Sequence, residues 1–177
     1  MIYTITGNGK GKTTAALGLA IRAFGHNKKV LFISFCKGNK KGYFGELEFF
    51  WNELRRKCKD YIQVMHFGVY KIISKKNITI KDLSEANKAL NLIEYHIRNE
   101  HYEIIVMDEI FNAINLGLID LDYFIKVISK KNEETILVLT GRDAPQQIID
   151  LSDVVSEIKC IKHHYANGVK AIKGFDY

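Results

Sequence analysis

Residues Thr6 to Thr14 read TGNGKGKTT, directly after an apolar, β-branched run, IYTIT, at residues 2–6. Gly7, Gly9 and Gly11 let the backbone take conformations closed to other residues, so successive N–H groups can point into one concavity and hold an anion. A helix starting near Lys12 adds its positive end, and the Lys12 ammonium adds a point charge. Asn8 and Lys10 stand in the same loop, while Thr13 and Thr14 offer hydroxyls, one of which can reach Mg²⁺. The phosphate-loop consensus is a glycine, four residues, then Gly-Lys-Ser/Thr. Gly11, Lys12 and Thr13 fit it, and Thr6 stands at the leading glycine. The competing reading is a glycine-rich turn with exposed lysines. A strand before and a helix after, both of which a phosphate cradle requires, favour the cradle.

The rest of the chain alternates short β-branched runs with longer segments of helical spacing. Candidate strands are residues 29–36, 61–67, 103–108, 134–141, 153–161 and 169–174. Leu17, Ala20, Ile21 and Phe24 share a face of a helix beginning at Lys12, and Leu83, Ala86, Leu90, Ile93 and Ile97 a face of a later one. Asp120 is placed to cap a helix carrying Leu121, Phe124, Ile125 and Ile128, and Asp143, before Ala144 and Pro145, to start another. This alternation predicts an α/β protein, a mostly parallel sheet with helices on both faces; with the phosphate-loop motif after its first strand, the expected fold is that of the P-loop NTPases (RecA-like). Ligands of such sheets bind beyond the carboxyl ends of the strands, where TGNGKGKTT lies. With 177 residues and no linker-like stretch, one nucleotide-binding domain over residues 1–177 is expected.

The net charge of +6 raises nucleic acid as a partner. The lysines fall in short scattered groups without interleaved aromatics, so a solvated surface is preferred and no nucleic acid is expected. No apolar run approaches the roughly 20 residues of a membrane span, and MIYTIT lacks the regions of a signal peptide. A cytoplasmic protein without a membrane partner is the expectation. Cys36, Cys58 and Cys160 stand in no metal or redox spacing and read as buried free thiols.

The run EIIVMDEI ends an apolar strand in Asp108 and Glu109. Alone, such a pair reads as a helix cap or a solvated pair. Coupled to the loop, Asp108, Glu109 and Thr13 become candidate Mg²⁺ ligands, and Lys12, Thr13 and Glu109 the candidate catalytic residues of a nucleoside triphosphate site. Which bond such a site breaks stays open on these residues. Attack at the terminal phosphorus needs a positioned water or hydroxyl, and no residue stands out as its base or arginine finger. A kinase or ATPase, a nucleotide carrier without turnover and a nucleic-acid motor all remain.

The stretches TGNGKGKTTAALGLAIRAFGHNKKV, VMDEI, LTGRDAPQQIIDLSDVVSEIKCIKHHY and NGVKAIKGFDY together resemble the ATP:corrinoid adenosyltransferases of the phosphate-loop type, across almost the whole chain. The resemblance implies alkyl transfer: a reduced Co(I) corrinoid attacks the 5′ carbon of ATP and triphosphate departs. The nucleophile then belongs to the corrinoid, and the protein orients ribose against cobalt, dries the pocket and stabilises the leaving charge. Carried over by position, Gly7 to Thr14 hold the phosphates, with Lys12 on the leaving group and Thr13 on Mg²⁺. Glu109, supported by Asp108, is the metal carboxylate, Arg22 contacts the sugar end, and Asn8 orients the nucleotide. A non-enzymatic corrinoid carrier is the alternative from another class. The resemblance also implies a homodimer and, by analogy, a flavoprotein reductant.

The better-known members of the family this chain resembles carry a Phe-x-Trp pair after the third strand, which displaces the corrinoid's lower ligand. Here that region reads MHFGVYKII, leaving Phe67 and Tyr70 as the available aromatics. Trp51 falls in a helical stripe with Phe44, Leu47, Phe50 and Leu54 that reads as core. Met1 stands directly before the first strand, so the N-terminal extension that can cover the pocket in relatives is not expected. Arg142, at a strand end on the ligand edge, is a candidate contact for phosphate or corrinoid. His163 and His164 suggest a metal, but side chains of adjacent strand residues diverge, so a structural role is preferred.

Overall fold

The computed structural model describes residues 1–37, 43–49, 61–68, 73–99 and 102–176. Six short runs rich in Ile, Val, Leu and Phe pair into one all-parallel sheet: β1 (Ile2–Thr6), β2 (Val30–Ser34), β3 (Ile62–His66), β4 (Ile104–Asp108), β5 (Ile136–Thr140) and β6 (Val154–Glu157). Their order is β3-β2-β4-β5-β1-β6. Between them lie α1 (Lys12–Gly25), α2 (Gly45–Phe49), α3 (Ile80–Asn99), α4 (Ile110–Asn115), α5 (Leu121–Ile128) and α6 (Gln146–Leu151), and a 3-10 turn (His164–Asn167) follows β6. Among the described residues, no helix is long and apolar enough to cross a membrane.

Both faces of the sheet are covered, which is why the central strands read as continuous apolar runs. Ile5, Val30, Phe32, Val106 and Val138 face α1, while Leu31, Ile33, Ile105, Met107, Leu137 and Leu139 join the larger cluster with α3 to α6. The α1 face in contact is Ala16, Ala20 and Ala23 rather than the expected stripe of Leu17, Ala20, Ile21 and Phe24, and Ile21 is 54% exposed. Three alanines at four- and three-residue spacing form a narrow strip on which the helix lies close to the strands; Leu17 and Phe24 flank it, partly buried.

Helix α3 buries Ala86, Leu90, Ile93 and Ile97 as expected, while Leu83 at its start is exposed. Asp82 accepts the Thr79 N–H at 2.8 Å, and its own N–H turns to the Thr79 hydroxyl, a reciprocal cap that stops the first turn fraying. Asp120 caps α5 by accepting the Tyr123 N–H at 2.8 Å. Asp143 does not cap α6. Pro145 takes the cap position, where a missing N–H costs nothing, and Asp143 sits at a φ of 51° in the turn before it.

Residues 169–174 form no strand, and the run expected over 153–161 pairs only from Val154 to Glu157. The chain leaves the sheet there, and Gly168, at a φ of 77°, turns it back toward the phosphate loop. The helical stripe expected through Phe50, Trp51 and Leu54 lies outside the described residues, as does Cys58. Of the other cysteines, Cys36 is partly buried and Cys160 is exposed, contrary to the expected burial. Cys160 follows the end of the edge strand β6, Val154–Glu157.

Strand order decides what meets at the ligand edge. β5 lies between β1 and β4, so the loop after β1, Thr140 at the end of β5 and the acidic pair after β4 open on the same side.

Candidate active site

The loop after β1 folds as its glycines dictate: Gly7 has a φ of 99° and Gly11 one of 115°. A strap from the far end of the chain braces it. The Gly9 N–H donates to the Ile158 carbonyl at 2.7 Å, and the Cys160 N–H to Asn8 Oδ1 at 2.9 Å. The approach leaves no room for a side chain, since a Cβ on Gly7 would stand 2.5 Å from the Ile158 oxygen. Gly7→Ala is therefore expected to lower stability by about 1–3 kcal/mol and to weaken nucleotide binding by pushing loop and strap apart. Denaturant unfolding and nucleotide titration check it; unchanged values in both would show that the strap yields.

Lys12 arches back over this loop, donating to the Gly7 carbonyl at 2.7 Å and the Gly9 carbonyl at 2.8 Å. Burial, and then the charge of Arg142, push its ammonium below its ordinary pKa, against the pull of Glu109, Asp108 and Asp143. Thr13, next on α1, donates to Asp108 at 3.0 and 3.1 Å. The Thr140 hydroxyl donates to Asp108 Oδ1 at 2.7 Å and accepts the Glu109 N–H at 3.0 Å, tying β5 to the end of β4.

The residue that sequence reasoning missed is Lys37, in the loop after β2. Its ammonium, 12% exposed, lies 2.8 Å from Asp108 Oδ2, 3.4 Å from the Thr13 hydroxyl, 3.9 Å from Glu109 and 3.8 Å from Glu46. Burial alone would lower its pKa, but the surrounding carboxylates outweigh burial and raise it. Burial likewise works to raise Asp108, and Lys37 with the two threonine hydroxyls overcomes it and holds the carboxyl below its usual range. Glu109, turned by a φ of 60°, is pushed up by burial despite Lys37. The available signal was a lysine three residues beyond a buried strand on the ligand edge, but nothing local separates it from the other lysines of that region.

Lys12, Thr13, Lys37, Glu109 and Thr140 open on a cavity of about 1020 Å³ at the carboxyl ends of the strands, with Asp108 wholly buried behind them and not on its wall. Asn8, Gly9, Lys10, Gly11, Lys12, Thr13, Thr14, Glu109 and Arg142 all line it, together with Lys37 and the aromatic rings of Tyr43, Phe44 and Phe175. Arg142 is positioned through its backbone: its N–H donates to Asn112 Oδ1, and its carbonyl accepts the Asn115 amide. Lys10 pairs with Asp176 at 2.7 Å and lies 4.8 Å from the centre of the Phe175 ring.

Other residues singled out from the sequence stand apart. Gly7 lies behind the loop, where its carbonyl serves Lys12. Arg22 is exposed on α1 and borders a separate shallow depression with Tyr3, Gly18 and Leu19. Phe67 packs against the larger core cluster while its backbone ties β3 to the end of β2, and it does not line the cavity. Tyr70 lies outside the described residues. Two further groups near the cavity are chemically quiet. Burial, then Glu109, push the Cys36 thiol up to about 12, and burial, then Lys37, press His66 down to about 3, so it is neutral.

Residues 1–177 match the family model described as ATP:corrinoid adenosyltransferase BtuR/CobO/CobP. The corrinoid adenosyltransferase of Escherichia coli strain K12 is 30% identical over 181 aligned positions, covering 100% of this chain and 85% of that protein. The Salmonella typhimurium strain LT2 enzyme of the same name is 29% identical over 182, with the same coverage. An uncharacterised Nostoc protein is 31% identical over 169 residues; there the chain spans 44% of the relative's length. A phosphate loop after β1, an acidic pair at the end of β4 and a full-length family match agree, and the chain belongs to the ATP:corrinoid adenosyltransferase family.

Proposed function

We propose that this protein transfers the 5′-deoxyadenosyl group of ATP to the Co(I) centre of a reduced corrinoid, releasing triphosphate, in the formation of adenosylcobalamin. The observation that carries the reading is the division of labour in the cavity. Lys10, Lys12, Lys37 and Arg142 gather cationic charge where a triphosphate would lie, whereas Cys36 holds its proton, His66 is buried and neutral, and Asp108 has both oxygens engaged. Such a concentration of cationic groups stabilises a leaving anion, which suits a reaction whose nucleophile is a substrate.

In that reaction the Co(I) electron pair forms the cobalt–carbon bond at C5′. The C5′–O bond breaks, its electrons leave on the triphosphate, and cobalt passes formally from Co(I) to Co(III). Lys12 and the loop N–H groups hold the departing phosphates. Thr13 and Glu109 stand on the cavity wall as hard oxygen donors that would take Mg²⁺, with Asp108 buried behind them and held by Thr13, Thr140 and Lys37. Mg²⁺ bound there would neutralise phosphate charge. The same reading takes residues 1–177 as one catalytic domain of a cytoplasmic homodimer served by a flavoprotein reductant. On the family resemblance alone it assigns Arg22 to the sugar end of ATP and Phe67 and Tyr70 to the corrinoid, although Arg22 and Phe67 stand outside the cavity.

The test is an anaerobic assay with chemically reduced cobalamin, ATP and Mg²⁺, following the corrinoid spectrum and identifying the phosphate product. Light-sensitive adenosylcobalamin with stoichiometric triphosphate is expected. ADP without cobalt alkylation would return the site to phosphoryl transfer, and binding without turnover to a carrier.

A further inference from the structure

At the rim of the cavity, away from Thr13 and Glu109, the chain assembles three metal-binding side chains that the proposed reaction does not use. After β6 the backbone does not continue as a strand. His163 caps a 3-10 turn and His164 opens it, so the two rings, which would diverge on a strand, lie with centroids 4.6 Å apart and planes 31° apart. Gly168 and Gly174, both at positive φ, then bring Asp176 back against them. One nitrogen of each imidazole and one oxygen of Asp176 all lie within 4.8 Å of one another.

We propose that His163, His164 and Asp176 form a binding site for a first-row divalent transition cation, with Zn²⁺ as its probe. The pair geometry argues for an ion. His164 Nε2 is 3.3 Å from Asp176 Oδ2, yet this nitrogen is shielded from solvent and makes no hydrogen bond among the described residues. Bond lengths of roughly 2.0–2.2 Å to a tetrahedral zinc put neighbouring ligand atoms about 3.4 Å apart, close to the separation observed. Among the described residues, Asp176 Oδ2 accepts only the Ile172 N–H, at 2.7 Å, and keeps a second lone pair. His163 Nδ1 accepts the Tyr165 N–H at 3.2 Å, a long bond that a cation would displace.

Two imidazoles and one carboxylate select zinc, cobalt or nickel over Mg²⁺. His163 and Asp176 both line the cavity, so the fourth position faces its contents. Lys10 opposes the ion, because its ammonium holds the other Asp176 oxygen at 2.7 Å. A bound cation would therefore fasten the C-terminal segment to the cavity wall and loosen Lys10 from its carboxylate.

The experiment is equilibrium dialysis of the chelator-stripped chain against Zn²⁺ without nucleotide, with Co²⁺ absorption reporting coordination. One Zn²⁺ per chain is expected, with a tetrahedral Co²⁺ spectrum. His164→Ala and the isosteric Asp176→Asn should each weaken binding at least about tenfold. Lys10→Met should tighten it, and Glu109→Gln, at the other carboxylate cluster, should leave it unchanged. Absence of stoichiometric binding overturns the proposal. So does binding that survives His164→Ala, which would point to the cysteines, or binding lost in Glu109→Gln.

Discussion

Lys12→Ala is expected to lower kcat/KM for ATP by about 10²–10³-fold, the cost of removing one preorganised group aimed at developing negative charge. The loss should fall on kcat as well as KM, because the leaving triphosphate carries more charge on its departing oxygen than bound ATP does. Stability should change little, since the lysine's internal bonds are to two loop carbonyls at the edge of the cavity. Lys12→Arg should rescue poorly: a planar guanidinium is bulkier than the point charge that now fits between Gly7 and Gly9. Single-turnover spectroscopy of corrinoid alkylation reads the chemical step directly. A loss below tenfold would move leaving-group stabilisation onto Lys37 and Arg142.

The second large effect is on folding. Asp108 is wholly buried, and Lys37 is its only cationic hydrogen-bond partner among the described residues. Removing one member of a buried pair strands the other charge, at about 3–5 kcal/mol. The Thr13 and Thr140 hydroxyls still reach Asp108, so Lys37→Met should lie at the low end, about 3 kcal/mol, with a matching fall in the urea midpoint. The double variant Lys37→Met with Asp108→Asn should recover at least about half of that loss, because the stranded charge is gone. If the two substitutions simply add, the pair is not coupled and Lys37 serves the ligand alone.

The two replacements probe parts of the site that differ in how they could be read. Gly7, Gly9, Gly11 and Lys12 announce a phosphate loop because backbone freedom and the strand and helix on either side are local properties. The acidic pair is legible for the same reason: an apolar strand that ends in Asp108 and Glu109 must open on the ligand edge. The Asp120 cap and the α3 stripe are local as well. Where local patterning misled, a tertiary choice intervened. The α1 face is decided by how closely alanines let a helix lie on the sheet. Residues 169–174 carry strand-forming residues but turn back along the cavity instead of joining the sheet. His163 and His164 converge because the strand ends before them.

What the sequence determined by itself is thus the cradle, the acidic pair, the alternation of strands and helices and the family. What only the tertiary structure decided is the cast around the cradle: Lys37 on Asp108, Thr140 between the strand ends, Cys160 against Asn8, and Asp176 on Lys10. These contacts join residues 71, 32, 152 and 166 positions apart. They depend on strand order and on the path of the chain after β6, which no local spacing encodes. A glycine's freedom to take a positive φ is a property of the residue, whereas a buried ion pair exists only once the sheet has chosen its neighbours.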